Sequence, residues 1–338
     1  MTDRLGVGVI GTGGMGLRHA VNLDRAVARA RLAAVMDVDL NRAREAAAGS
    51  GASVFTDAES LIASPDVDAV IIASPDPTHA PLATTCIELR KPALVEKPLA
   101  VTVDDAADIV EREVRVGERL LQVGFMRHFD PQHVTVRQVI SSGGIGRPLL
   151  FRGWHRNPPE PVPPTSRQVL VNSAIHDLYS ARWMLGQEVA DIFVKGTTID
   201  PSRSDQLDLQ VITMSMDGGG IAVIEVNKDS GFGYEVGVEV TGTAGMVSTP
   251  PHHTPSVRRD GEIRQSVEPD WLARFARAYV EELAAWTGSV LDGHPTGPNA
   301  WDGYLTLTAA STGADSIEQG GPVALDTPDR PALYTSEG

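Results

Sequence analysis

Apolar residues in the first third of the chain come in short runs of flat periodicity, at 5–10, 32–36, 67–72, 93–95 and 120–123. Runs without period-two alternation predict strands covered on both faces. Between them lie Ala-rich amphipathic stretches, such as 40–48 after Asp39 and 106–116 after the start signals Thr102 and Asp104. Strand and helix in alternation predict a doubly wound parallel sheet.

After about Gly124 the pattern changes. A helix is predicted at 173–185, followed by runs with period-two character at 192–198, 207–214, 221–226 and 234–240, joined by turn residues that include Asp217-Gly-Gly-Gly220. These predict an antiparallel sheet. Residues 157–164 contain five prolines and predict an extended loop that could shape a pocket rim. Two helices follow, at 271–291 and 301–317. A length of 338 residues suits two domains at roughly 150 residues each, divided as 1–123 and 124–338, with the last helices free to pack back on the first domain. The predicted class is α/β: a doubly wound N-terminal sheet plus an α+β C-terminal domain.

Composition narrows the partners. A net charge of −15 disfavours nucleic acid and acidic membrane surfaces, and no run reaches the ~18 apolar residues of a membrane helix. Cys86 is the single cysteine, which excludes an internal disulfide and a Cys-rich zinc site and suits a reducing cytoplasm. The opening residues lack a secretory leader pattern. His252 and His253 sit in a proline-flanked loop without a nearby pair of carboxylates, so no metal is expected.

The chemistry starts at Gly11-Thr-Gly-Gly-Met-Gly16, directly after the first strand and at the start of a helix. Gly11 can take the tight turn, Gly13 lets backbone approach a pyrophosphate, and Gly16 permits close helix–strand packing, with Gly14 and Met15 completing the loop. The anion would rest on the helix N-terminus. Asp37 ends the second strand 21 residues after Gly16, near the ~20 expected for the carboxylate that binds an adenosine ribose. A carboxylate there repels a 2′-phosphate, so NAD is favoured over NADP, although Arg42 lies close by. Further along, Lys97 follows Glu96 at the carboxyl end of a strand, where such sheets bind ligands. It either pairs with Glu96 at the surface or faces the nicotinamide, where it can polarise a hydroxyl. Ser74, Thr78, His79 and Glu96 would line the same edge of the cofactor site.

On the helix at 173–185, Ala174, Leu178, Ala181 and Leu185 form a packing face. Asn172, His176, Tyr179 and Trp183 fall on the other side, a polar-aromatic stripe unlike an ordinary solvated face. His176 is then either a structural histidine or an acid/base group. Trp271, Phe275, Tyr279 and Trp286 recur at helical spacing and predict packing. No nucleophile elbow or P-loop lysine is present, so hydrolase and kinase readings have no support.

The chain resembles the Gfo/Idh/MocA family of NAD(P)-dependent oxidoreductases, and within it the inositol-oxidising members. The resemblance is carried by Gly11-Thr-Gly-Gly-Met-Gly16, Glu96-Lys97-Pro98, Val123-Gly-Phe-Met-Arg-His-Phe-Asp-Pro131, His155-Arg-Asn-Pro158, Asn172-Ser-Ala-Ile-His-Asp177 and Gly297-Pro-Asn-Ala-Trp-Asp-Gly-Tyr304. It implies a Rossmann domain followed by an open-faced antiparallel sheet, often used for contacts in homodimers or homotetramers. It also implies Lys97, His176 and Asn172 as catalytic groups, with Arg127, His155, Asn157, Asn172 and Tyr234 facing a cyclic polyol. Inositol-oxidising members carry Asp where this chain has Asn172. Asn hydrogen-bonds but supplies no charge, so a weaker base at His176 is expected. Three activities follow: NAD-dependent oxidation of a cyclic polyol, sugar or aminocyclitol dehydrogenation or ketone reduction in biosynthesis, and non-catalytic NAD sensing.

Overall fold

The computed structural model describes residues 4–199, 201–203, 206–250 and 254–335; His252 and His253 lie outside them. The chain groups into two units, one running to Phe129 and including Arg277–Leu307 and the residues from Asp329, the other Asp130–Ala276 with Thr308–Pro328.

The flat apolar runs of the first unit form a six-stranded sheet: β1 (Leu5–Ile10), β2 (Ala30–Met36), β3 (Ser53–Phe55), β4 (Ala69–Ile72), β5 (Ala93–Glu96) and β6 (Leu121–Gly124), in the order β3-β2-β1-β4-β5-β6. Every pairing is parallel. All positions of β1, β4, β5 and β6 are buried, as strands covered by helices on both faces require. The helices are α1 (Gly14–Arg25), α2 (Leu40–Ala47), α3 (Ala58–Ile62), α4 (His79–Glu88) and α5 (Val103–Val116). Side-chain caps start three of them: Asp39 accepts from Asn41 N, Asp57 from Ser60 N, and Thr102 from Asp105 N. The Thr102 cap explains why α5 begins three residues before the predicted 106. β3 escaped the pattern because its positions are exposed or half-buried and carry no inward stripe. Strand order reverses between β1 and β4, so the loops after β1, β4 and β5 share the edge where such sheets bind ligands.

The second unit contains α6 (Pro131–Ser141), β7 (Pro148–Arg156), α7 (Ser166–Gln168), a π turn at Val169–Ala174, α8 (Ile175–Leu185), β8 (Val189–Thr197), β9 (Leu209–Met216), β10 (Ile221–Asn227), β11 (Glu235–Gly242) and β12 (Met246–Ser248). A separate ribbon pairs β13 (Ser256–Arg259) with β14 (Glu262–Gln265). Next come α9 (Trp271–Asp292), α10 (Ala300–Gln319) and β15 (Val323–Ala324). The main sheet has the order β12-β11-β7-β10-β9-β8-β15. Its pairs are antiparallel except β7 with β10, which are parallel. The expected antiparallel sheet is therefore mixed at one seam, because β7 inserts between β10 and β11.

β7 gave no hydrophobic signal because its inner stripe is Phe151, Gly153 and His155, and only the first is apolar. Its outer face carries Arg156, bound to Glu225 at 2.8 Å and Glu235 at 2.9 Å, and Arg152, bound to Glu239 at 2.8 Å. These cross-strand pairs set the register on the outer face. Beneath lies the core of the unit, where Leu170, Ala174, Leu178, Ala181 and Leu185 pack on Phe151, Ile212, Ile224, Val226 and Val238. A buried aliphatic side chain contributes about 2 kcal/mol relative to exposure. The predicted packing face of α8 is thus the one that meets the sheet.

Candidate active site

The turn after β1 holds two kinds of glycine. Gly11 has φ +82°, and a Cβ on it would lie 2.6 Å from the backbone of Ser74; a Cβ on Gly16 would lie 1.7 Å from Gly11 O. Packing alone demands these two. Gly13 and Gly14 differ, since a Cβ on either meets nothing within 4 Å, and Gly13 has φ −65°, open to any residue. They border the first turn of α1, whose leading N–H groups have no intrahelical acceptor. Bare backbone at a helix N-terminus is a cradle for an anionic phosphate group, which a side chain would fill. Met15 is half-buried beside it.

Asp37 directly follows β2. Its Oδ2 accepts from Thr12 N at 2.8 Å and Thr12 Oγ1 at 2.9 Å, while Oδ1 accepts from Asp39 N at 2.9 Å. Burial pushes the carboxyl up, but these bonds and Arg42 outweigh it and hold Asp37 below the usual carboxylate range. An anion at the end of β2 suits ribose hydroxyls and opposes a 2′-phosphate. The residues present fit NAD.

The loops after β4 and β5 are tied together. Ser74 Oγ meets Thr78 Oγ1 at 2.6 Å, and the two ring nitrogens of buried His79 face Pro98 O at 2.7 Å and Ser74 O at 2.9 Å. His79 spends its polar atoms on protein, and so does Glu96. Its Oε1 meets His19 Nε2 at 2.8 Å and its Oε2 accepts from Lys97 N at 3.3 Å. Burial raises the Glu96 carboxyl, yet the His19 bond, with Lys97 and His79 near, brings it below the usual range. Lys97 is half-buried and joined to Pro98 by a cis peptide. Glu282 of α9 is fully buried, neither of its oxygens meets a donor among the described residues, and burial together with the Glu96 charge raises it well above the usual range. His19 and Glu282 went unnoticed in the sequence. The signal was there for Glu282, which interrupts the helical stripe Phe275, Tyr279 and Trp286. Arg127, on the turn Met126–Phe129, is fully buried in the same unit.

In the second unit, two rungs join the helical layer to the sheet. Asp177 Oδ2 meets His155 Nδ1 at 2.9 Å, and His155 Nε2 meets Tyr234 Oη at 3.2 Å. Four residues before Asp177, Ser173 Oγ accepts from Lys228 Nζ at 3.1 Å. With Asp177 fully buried and accepting from Nδ1–H, Nε2 of His155 is left to accept from the tyrosine hydroxyl. The expected site residues His176 and Asn172 each precede a rung by one position. His176 and Tyr179 are buried, Trp183 is half-buried and stacks on Tyr179, and Asn172 is exposed. Asn157 follows β7 directly and donates its N–H to Asn227 O at 2.8 Å. A π turn carries Asn172; such irregular turns occur disproportionately at functional sites. Asp177, Ser173 and Lys228 had no assigned role from the sequence.

Residues 5–125 match the model of an oxidoreductase family with an NAD-binding Rossmann fold, and residues 133–248 match the Gfo/Idh/MocA C-terminal domain. Inositol 2-dehydrogenase of Rubrobacter xylanophilus is 48% identical over 335 residues, covering 98% of this chain and 96% of that protein. The chain belongs to the Gfo/Idh/MocA oxidoreductase family. An inositol 2-dehydrogenase of Streptomyces avermitilis is 38% identical to this family member, over 99% of this chain and 98% of that one. Among solved structures, myo-inositol dehydrogenase from Lactobacillus casei in complex with NAD(H) and myo-inositol superposes with a TM-score of 0.93 at 30% identity, covering 98% of this chain and 100% of that chain. Among the described residues, no helix of this oxidoreductase is long and apolar enough to cross a membrane.

Proposed function

We infer that this protein is an NAD-dependent dehydrogenase that oxidises a secondary ring hydroxyl of a cyclic polyol of the inositol class. The observation that carries it is whole-chain similarity, 48% to the Rubrobacter enzyme and a TM-score of 0.93 to the Lactobacillus structure. NAD would be held by Gly11, Gly13, Gly14, Met15 and Gly16 at its pyrophosphate, by Asp37 at the adenosine ribose, and by the Ser74, Thr78 and Lys97 edge at the nicotinamide. When bound, the cofactor accepts a hydride from the substrate carbon.

The protein supplies position and proton handling. Lys97 polarises the reacting hydroxyl, and His176 takes its proton. Arg127, His155, Asn157, Asn172 and Tyr234 hold the remaining hydroxyls and fix which C–H is presented, and such orientation contributes most of the rate gain. Supporting this reading, the rung from Asp177 through His155 leaves Tyr234 a fixed partner. One observation favours a second reading: Asn172 is exposed on a π turn and uncharged, which suits a sugar, an aminocyclitol or a glycoside-linked ring. For assembly we favour a homodimer or homotetramer through the outer face of the second sheet, where Val211 and Ile221 are exposed, and for location the cytoplasm.

The test is an NADH-absorbance screen of the purified protein with inositols, pyranoses and their keto forms. Turnover of an inositol is expected. Tight NAD binding with no turnover of any of them would overturn the dehydrogenase reading in favour of a sensor.

A further inference from the structure

The covered face of β10 runs Ala222, Ile224, Val226 and then Lys228 just beyond its end, all buried. A lysine that continues an apolar stripe needs a compensating partner. Lys228 has two: its Nζ donates to Ser173 Oγ at 3.1 Å and pairs with Glu160 Oε1 at 2.5 Å. The lysine side chain is 5% exposed and the glutamate side chain 47%. A buried cation is therefore held from one side by the π turn and from the other by a half-exposed carboxylate.

That carboxylate belongs to the proline-rich segment 157–164. The segment is anchored at its start, where Asn157 N donates to Asn227 O at 2.8 Å and Ser230 N to Asn157 O at 2.9 Å, and at its end, where Arg203 Nη2 donates to Pro164 O at 3.2 Å. Its five prolines have no N–H to offer in between. Among the described residues 158–164, Glu160 provides the one ion pair. Ser173 adjoins Asn172 and stands four residues before the Asp177 that fixes His155, so the tie joins this segment to the turn that carries proposed substrate contacts.

We propose that the Lys228–Glu160 pair determines substrate specificity, by holding the proline-rich segment against the Asn172 turn so that the enzyme accepts a free ring polyol and disfavours the same ring extended by a glycosidic sugar. This rests on the dehydrogenase reading above. Neither residue contacts the reacting atoms; both are positioning residues. Cutting the tie leaves the proton-handling groups in place, so the effect appears in KM and in the choice between rings, with kcat within about twofold. An ordering contribution of about one immobilised side chain corresponds to roughly tenfold in relative kcat/KM.

The experiment compares wild type, Glu160→Gln and Lys228→Met. The methionine fills the lysine's volume without leaving a buried cation, which guards against simple misfolding of the glutamine variant. Each is measured with NAD and either free inositol or an inositol glycoside, and by hydrogen exchange of peptides spanning 155–175. Both variants should exchange faster there than wild type, raise KM for the free ring, and shift relative kcat/KM toward the glycoside by about tenfold. Unchanged exchange overturns the tie. Faster exchange with an unchanged substrate ratio overturns its role in specificity. If wild type turns over neither ring, the inositol reading falls and takes the specificity claim with it, while exchange still decides the tie.

Discussion

Replacing Gly13 with Ala separates what the fold needs from what the cofactor needs. The backbone at Gly13 has φ −65°, and an added Cβ meets no protein atom within 4 Å, so folding tolerates alanine. Its lower unfolded-state entropy stabilises by about 0.4–1 kcal/mol, and the poorer helix cap costs a similar amount; the melting temperature of the NAD-free variant should stay within a few degrees of wild type. In the proposed cradle the same methyl group stands between the pyrophosphate and the amides of α1. Loss of two hydrogen bonds to a charged group, at about 1.5 kcal/mol each, amounts to about 3 kcal/mol, or roughly 150-fold in Kd. Titration calorimetry with NAD reads the affinity, and thermal unfolding without NAD reads the fold. Gly16→Ala is the contrast: its Cβ would sit 1.7 Å from Gly11 O, so it should lose stability as well. If Gly13→Ala binds NAD like wild type, or unfolds as Gly16→Ala does, the assignment of the cradle is wrong.

Three further outcomes are expected. Glu282 keeps its proton in the folded state above the pH at which the unfolded chain gives it up, from about 4.5; stability from this site is therefore full below that pH and is lost as pH rises toward the raised folded value. Glu282→Gln should gain stability relative to wild type by about 1.4 kcal/mol per pH unit across that window, read as a widening gap in unfolding midpoint between acid and alkaline buffers, and a constant gap would contradict it. Asp37→Ser should narrow the preference for NAD over NADP by at least about tenfold in kcat/KM, because it removes the anion that repels a 2′-phosphate; an unchanged ratio would show that Asp37 does not set it. Asn172→Asp adds a charge one helical turn from His176 and should raise inositol oxidation near neutral pH by strengthening the base, so unchanged or lower activity rejects that account of the substitution.

The parallel sheet was legible because each of its buried strands is a flat apolar run, and the nucleotide edge because glycines, strand and helix follow one another within a dozen residues. The second sheet was less so. β7 hides its inner stripe behind Gly153 and His155: Gly153 leaves room for the ring of Phe151 two residues before it, 3.0 Å from where its Cβ would be, and His155 owes its place to a tertiary partner, the buried Asp177. No local pattern reports such pairings. The same holds for the groups that brace the site. His19 with Glu96 and Ser173 with Lys228 are 77 and 55 residues apart, so each looks like an ordinary polar residue until the chain closes. Asn172, by contrast, was visible as a departure from the family pattern, and its exposure on a π turn was not.

The central claim is that Lys97 and His176 handle the proton of a ring hydroxyl while NAD is held chiefly by the glycine turn and Asp37. Single-turnover measurement on NAD-loaded wild type, Lys97→Met and His176→Gln with inositol tests it most directly. The account predicts that His176→Gln binds NAD as wild type does, that Lys97→Met binds it more weakly for want of one nicotinamide-edge contact, and that with NAD saturating both lose at least about a hundredfold in the rate of NADH formation. Retention of the wild-type rate by either variant, with NAD bound, would contradict it.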